Sequence, residues 1–370
     1  MLLRPRLTPL AESLPATVPF VGPETQERQR GGLFRARLGA NENGFGASPK
    51  VAAAMAAAAS QMWKYCDPEN HNLRQLLAAY HRVAPGNIAI GEGIDGLLGL
   101  IVRLFVQPGQ PVVSSLGAYP TFNYHVAGFG GRLVTVPYRD DREDLEALLD
   151  AVRREDAPLV YLANPDNPMG TWWKAPDVQR FIDALPETTL LVLDEAYIDM
   201  APGSALPALD TSRPNVLRMR TFSKAYGLAG MRCGYAIGET ETVRAFDKVR
   251  NHFGMSKMSQ LAAAAAIADQ DWLSSVLARI AEGRRRIESI ASANSLTTIE
   301  SGANFVAIDC GRDGAFALKV MQSLIARDVF VRKPMAPGLD RCIRVSTGPE
   351  AELAIFAEEL PGALAAARGN

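Results

Sequence analysis

Cysteine is scarce in this chain: four in 370 residues, at Cys66, Cys233, Cys310 and Cys342, with no CxxC spacing. That argues against a disulfide framework and against a cysteine-built zinc site, and it fits a reducing cytoplasm. Histidine is equally scarce; His71, His81, His125 and His252 are unclustered, so no metal and no histidine base is assigned. Neither sign of charge is in excess, with 39 Lys and Arg against 40 Asp and Glu. A surface that neutralises nucleic-acid phosphates is normally clearly basic, so nucleic acid is not an expected partner. No apolar run approaches the roughly 20 residues needed to span a bilayer. The opening stretch, MLLRPRLTPLAESLPATVPF, lacks a compact apolar core followed by a cleavage site, so no signal peptide is expected.

What is present is ordinary globular material, 48% hydrophobic and 21% charged. The length exceeds what one core usually serves. We expect an N-terminal arm with part of a small domain over 1–47, a large domain over 48–250 and a small C-terminal domain over 251–370. The arm is rich in Pro, Arg and Gln and reads as irregular chain that must pack on something else. Ser48-Pro49 then opens an Ala-rich helix, because Ser caps well and Pro is tolerated at the first helical position. Asn72 to Val83 reads as another helix.

From residue 86 short apolar runs alternate with helical stretches. Strands are expected at 87–90, 111–114, 132–137, 158–163, 190–193, 216–219 and 234–237. Gly91 to Gly96 reads as a turn leading to a helix from Leu97 to Phe105. Helices are also expected near 145–154 and 176–185. Near-continuous apolar runs suit strands buried on both faces, so the large domain is α/β with a mostly parallel sheet. The tail mixes helices near 259–268, 272–294 and 316–326 with strands at 305–309 and 342–345, a smaller α+β domain.

Open α/β sheets bind ligands beyond the carboxyl ends of their strands. Three polar residues follow expected strands: Asn164 in NPDNPMGT, Asp194 in LVLDEAY and Lys224 in RTFSKAYGLAGMR. GEGIDG, with Gly93 and Ile94, opens a helix whose free N–H groups suit an anion. Each also has a plainer reading: Asn164 as a turn residue, Asp194 as a cap, Lys224 as a surface lysine. Together they offer an amine for an aldehyde, a carboxylate for a ring nitrogen, and donors for a phosphate from Thr221, Ser223 and Arg232.

The ordered set NPDNPMGT, DEAY and SKAYGLAGMRCGY resembles the class I/II aminotransferases, the fold-type I enzymes that use pyridoxal 5'-phosphate (PLP). LGANENGFGASP, WKYCDP, PTFNY and CIRVSTG are similar to motifs of the histidinol-phosphate aminotransferase group within them. The resemblance covers about residues 36–348. It implies that Lys224 binds the PLP aldehyde and later moves protons, and that Asp194 pairs with the pyridine nitrogen. Asn164 and Tyr197 would hydrogen-bond the phenolic oxygen, and Phe122 would stack on the ring in preference to Tyr119. Gly93, Ile94, Thr221, Ser223 and Arg232 would hold the phosphate, with Tyr65 reaching a neighbouring subunit's cofactor in a homodimer. Arg344, Arg332 and Asn43 would bind substrate. The implied function is amino-group transfer between histidinol phosphate and 2-oxoglutarate, in cytoplasmic histidine biosynthesis. Two alternatives share the constellation: a transaminase for aromatic or other amino acids, and an enzyme similar to threonine-phosphate decarboxylase. Three departures bear on substrate: Gly44-Phe45 replaces the group's usual proline, Ile94 offers no hydroxyl, and Phe20 stands near where the group has a tyrosine.

Overall fold

The structure is a computed structural model, which describes residues 5–16 and 21–369; Phe20 lies outside them. The first strand, β1 (Ala36–Arg37), stands apart from the central sheet. That sheet is built from β2 (Ile88–Gly91), β3 (Pro111–Ser115), β4 (Arg132–Val136), β5 (Leu159–Ala163), β6 (Leu190–Asp194), β7 (Val216–Thr221) and β8 (Gly234–Ile237). Their order is β2-β8-β7-β6-β5-β3-β4. Strands β3 to β7 pair in parallel, and β8 runs antiparallel to both its neighbours. Every residue of β5, β6 and β7 is buried, which is why these segments read as unbroken apolar runs.

Two boundaries shift in a way that matters. β6 runs one residue past the expected end and takes in Asp194, and β7 runs on to Thr221. Helix Gly93–Phe105 begins four residues before the expected Leu97, so GEGIDG is a strand end and a first helical turn. Gly93 makes the transition at φ +75°, a conformation glycine adopts without steric cost. Helices Pro120–Gly128 and Glu350–Arg368 were not expected from the sequence. The N-terminal arm is more regular than its composition suggests. Pro9–Ser13 and Pro23–Arg30 are helices, each with proline in its first turn, and the second carries Glu24 at its start and Arg28 and Arg30 at its end.

Toward the C-terminus, β9 (Thr297–Thr298), β10 (Phe305–Asp309), β11 (Val329–Phe330) and β12 (Cys342–Ser346) form smaller sheets. β10 pairs antiparallel with both β12 and β9, while β1 pairs in parallel with β11. Helices Gln270–Ala293, Gly314–Ala326 and Glu350–Arg368 pack over them through Ile287, Val320 and Phe356 against Val306 and Ile343.

A buried ion cluster locks the strand ends together. Glu195, one residue past β6, accepts from Arg218 Nη2 at 2.6 Å and from Arg220 Nε at 2.8 Å, and all three are buried. Arg218 Nη1 also donates to the Pro207 and Ala208 carbonyls at 3.1 Å. Removing the carboxylate would leave the buried Arg218 to two neutral carbonyls and Arg220 to Asp199, 3.6 Å from its Nη1. Glu195→Ala is therefore expected to lower unfolding free energy by about 3–5 kcal/mol, measured by urea denaturation of the full chain; a loss within error of zero would contradict this.

Candidate active site

Asp194, at the carboxyl end of β6, is buried beside a cavity of about 180 Å³ that Lys224 also lines. The Tyr161 hydroxyl donates to Asp194 Oδ2 at 2.7 Å, and the Ala196 N–H donates to Oδ1 at 2.9 Å. These neutral donors hold the carboxyl in place, yet burial still pushes its pKa up to about 6, with Asp95 and Glu195 adding repulsion. Among the described residues no cation pairs with it. Lys224 Nζ donates to the Asn41 carbonyl at 3.2 Å and lies 5.6 Å from the centre of the Tyr197 ring. Asn41 Nδ2 in turn donates to the Tyr197 hydroxyl at 3.1 Å.

One end of the cavity is an anion cradle. Ile94 and Asp95 at the start of helix Gly93–Phe105 line it, together with Thr221, Ser223 and Arg232. The Ser223 N–H donates to Thr221 Oγ1 at 3.0 Å, and Arg232 Nη1 donates to Ser223 Oγ at 3.4 Å. The cradle is tight: a Cβ on Gly93 would sit 2.6 Å from Arg232 Nη2, and one on Gly234 only 2.7 Å from the Ile94 nitrogen.

Arg344, on β12, forms the other end. It is partly buried, and Nη1 donates to Asn167 Oδ1 at 2.5 Å. Its Nε finds no acceptor among the described residues. Burial lowers its pKa. Arg332 forms an antiparallel bridge with Arg344, so both side chains leave the backbone on the same side. Burial and the Arg344 charge bring Arg332 down to about 10, and its Nη2 donates to the Val21 carbonyl.

Of the expected site residues, Gly93, Phe122, Asn164, Arg332 and Asn43 do not line this cavity, nor does Tyr65, which was expected at a neighbouring subunit's. Asn164 is buried with its amide fully engaged: Nδ2 donates to the carbonyls of Trp173 and Ala205, and Oδ1 accepts from the Trp173 N–H. Asn167, three residues on, lines the cavity instead. Phe122 is fully buried and stacks on Tyr161 at 4.7 Å, behind the cavity wall, whereas Tyr119 lines the cavity. Pro120 opens the helix here, which puts Tyr119 at the N-cap on the rim. That proline was the signal available in the sequence. Asn43 donates to the Ala225 carbonyl and accepts from the Phe45 N–H, bracing the loop, and Asn41 takes the position beside Lys224. Tyr65 is 82% exposed against Phe253 and does not line this cavity.

The family model for aminotransferase class I and II matches residues 36–360. The chain belongs to this aminotransferase family. Histidinol-phosphate aminotransferase 2 of Carboxydothermus hydrogenoformans is 34% identical over 94% of this chain and 96% of that protein. Histidinol-phosphate aminotransferase 2 of Pseudomonas fluorescens is 36% identical over 89% of each. The crystal structure of histidinol-phosphate aminotransferase from Sinorhizobium meliloti, in complex with pyridoxal-5'-phosphate, aligns with a TM-score of 0.96 at 58% identity, covering 98% of this chain and 99% of that one. In this aminotransferase the cavity brings together Ile94, Asp194, Tyr197, Thr221, Ser223, Lys224, Arg232 and Arg344 of the expected residues, with Asn167, Tyr119 and Asn41 beside them.

The unpaired Asp194 gives a pH-dependent signature. Its folded value of about 6 lies above the ordinary 3.8, so the folded chain holds a proton that the unfolded chain has already released between those values. Ionising Asp194 in the ligand-free folded chain therefore costs stability, from near pH 4 until the cost is complete above pH 6. Asp194→Asn is expected to gain about 1–3 kcal/mol on the native chain between pH 4 and pH 8. Chemical denaturation at both pH values measures it; an identical difference at the two would refute it.

Proposed function

We propose that this aminotransferase uses PLP to move an amino group between histidinol phosphate and 2-oxoglutarate, as a cytoplasmic homodimer in histidine biosynthesis. The residues present fit that cofactor. A buried carboxylate with no cation suits a protonated ring nitrogen, an amine stands on the same cavity, and the cradle at the helix start suits a phosphate. When bound, PLP supplies a ring that accepts the electron pair left as a substrate Cα–H bond breaks.

The protein's own groups do the rest. Asp194 keeps the ring nitrogen protonated. The Lys224 amine would hold the cofactor and, once released by substrate, would carry the proton from the substrate Cα to the cofactor's aldehyde carbon. Asn167 and the Tyr197 hydroxyl offer hydrogen bonds to the phenolic oxygen, and Tyr119 covers one ring face. Thr221, Ser223, Arg232 and the N–H groups at Gly93-Ile94 hold the phosphate. Because Ile94 has no hydroxyl, only its backbone contributes.

The observation that carries the substrate reading is the cross-strand pair Arg332–Arg344. Two adjacent, partly buried guanidinium groups, both lowered by burial and Arg332 further by the Arg344 charge, are suited to a dianion. Histidinol phosphate presents a phosphate and 2-oxoglutarate a carboxylate, so one cationic end serves both halves of the reaction. The homodimer is supported by exposed Trp63, Tyr65 and Phe253, an aromatic group on the surface without an intrachain lid. Division into 1–47, 48–250 and 251–370 is supported by the pairing of β1 with β11, which ties the arm to the C-terminal part. No helix among the described residues is long and apolar enough to cross a membrane.

Single-turnover measurements with histidinol phosphate, tyrosine, phenylalanine and glutamate test the substrate. Histidinol phosphate is expected to react with the highest kcat/KM of the three donors other than glutamate; a faster reaction with tyrosine would overturn the substrate while leaving transamination in place, and carbon dioxide release would overturn transamination. Arg332→Ala should raise KM for histidinol phosphate about 10- to 100-fold, the range for losing a charged hydrogen bond, with a smaller change for glutamate. Lys224→Ala should abolish both turnover and the visible absorbance that borohydride removes from the native chain.

A further inference from the structure

Asp95 sits where an acid is least expected in a phosphate cradle. It lies in the first turn of helix Gly93–Phe105, and its two oxygens reach two different parts of the site. The Tyr119 hydroxyl donates to Oδ1 at 2.7 Å. Arg232 Nη2 lies 3.5 Å from Oδ2. The missing side chain of Gly93 lets the Arg232 guanidinium close onto the helix start, where a Cβ would stand 2.6 Å from Nη2. Asp95 therefore faces, from within the chain and beside the helix start, the same arginine that an incoming phosphate needs. The neighbouring Ile94 offers no competing hydroxyl.

We propose that Asp95 is a positioning residue that acts as an internal stand-in for the cofactor's phosphate, an inference that rests on the PLP reading above. In the ligand-free chain its carboxylate holds Arg232 folded over the cradle and holds Tyr119 against the cavity wall. An arriving phosphate displaces it from Arg232 by exchange of one anion for another, so the arginine is never left to collapse elsewhere. The bond to Tyr119 survives the exchange and fixes the ring that covers the cofactor. The geometry separates the two duties by oxygen: Oδ2 serves the charge and Oδ1 the ring.

The two duties make opposite demands on substitutions. Asp95→Asn keeps an acceptor for Tyr119 but removes the competing charge; Asp95→Ala removes both. With the ligand-free full chain, inorganic phosphate and PLP should each bind Asp95→Asn about two- to five-fold more tightly than native, the scale of an exposed ion pair. Pyridoxal, which has no phosphate, should bind Asp95→Asn as it binds the native chain and bind Asp95→Ala more weakly. Tyr119→Phe frees Asp95 for Arg232 and should weaken phosphate binding, an effect that vanishes in the Asp95→Asn background. Titration calorimetry reads all of these, with thermal unfolding of each ligand-free variant as the baseline for folding. If PLP binds the native chain but phosphate affinity is unchanged or weaker in Asp95→Asn, the proposal for Asp95 falls. If the native chain binds no PLP, the reading of the whole site falls with it.

Discussion

The buried carboxylate of Asp194 is the constraint around which the site is arranged. A carboxylate removed from water must find charge or hydrogen bonds, and among the described residues it finds a phenol and one N–H. Two buried arginines, Arg218 and Arg220, lie on the adjacent strand β7, but Asp194 pairs in register with Met219 between them, so both leave the sheet on its other face. Both are consumed by Glu195, the very next residue in sequence. Strand geometry explains the sorting. Neighbouring residues at a strand end point to opposite faces, so Asp194 and Glu195 look in different directions. One acid completes the fold and the other is left for a ligand.

A second consequence follows at Asn41. Its carbonyl accepts from Lys224 and from Asn304, its amide donates to Tyr197, and its N–H donates to Ser346 Oγ on β12. This one residue, at φ +54°, joins the lysine loop after β7 to the C-terminal sheet that carries Arg344. The Lys224 amine and the sheet that carries Arg344 are thereby referenced to a common point. The extended N-terminal stretch thus contributes directly to the site's geometry, through a residue whose contacts span more than 300 positions in sequence.

That dependence on distant contacts marks the limit of what the sequence discloses. Strand identities, Asp194, Lys224, Thr221, Ser223 and Arg232 were legible because each is fixed by local pattern, an apolar run followed by a polar residue. Asn164 was not, because NPDNP contains two Asn-Pro pairs and either can end a strand. The choice is made by Trp173 and Ala205, whose backbone groups saturate the first asparagine and leave the second to Arg344. Phe122 and Tyr119 differ similarly. Both are aromatic and three residues apart, and only the helix that begins at Pro120 decides that one enters the core and the other faces the ligand. Asn43 and Asn41 are two apart on an extended segment, so they should share a face. The left-handed conformation of Asn41 breaks that alternation, and composition gives no sign of it.

Charge is distributed unevenly along the cavity in a way that defines how ligands must orient. Behind the ring position the acids Asp194, Asp166 and Glu143 are all buried, and all are pushed upward by that burial. At the two ends the cations Arg232 and Arg344 stand on opposite sides of the cavity, Arg344 with Arg332 at its shoulder. Of these acids only Asp194 is among the residues that line the cavity, so a cationic group beside it with anionic groups at the two ends matches the distribution. The anion cradle at Arg232 is narrow because of Gly93 and Gly234, so it suits one compact group. The Arg344 end is lined by side chains from separate elements, Asn167 after β5 and Arg344 on β12, and its shape is set by how the two sheets meet. Fixed backbone therefore bounds the Arg232 end and adjustable side chains bound the Arg344 end. Phe45 packs on the core cluster that holds Phe222, Ala225 and Tyr226 on either side of Lys224, so the Gly44-Phe45 departure bears on the lysine loop as well.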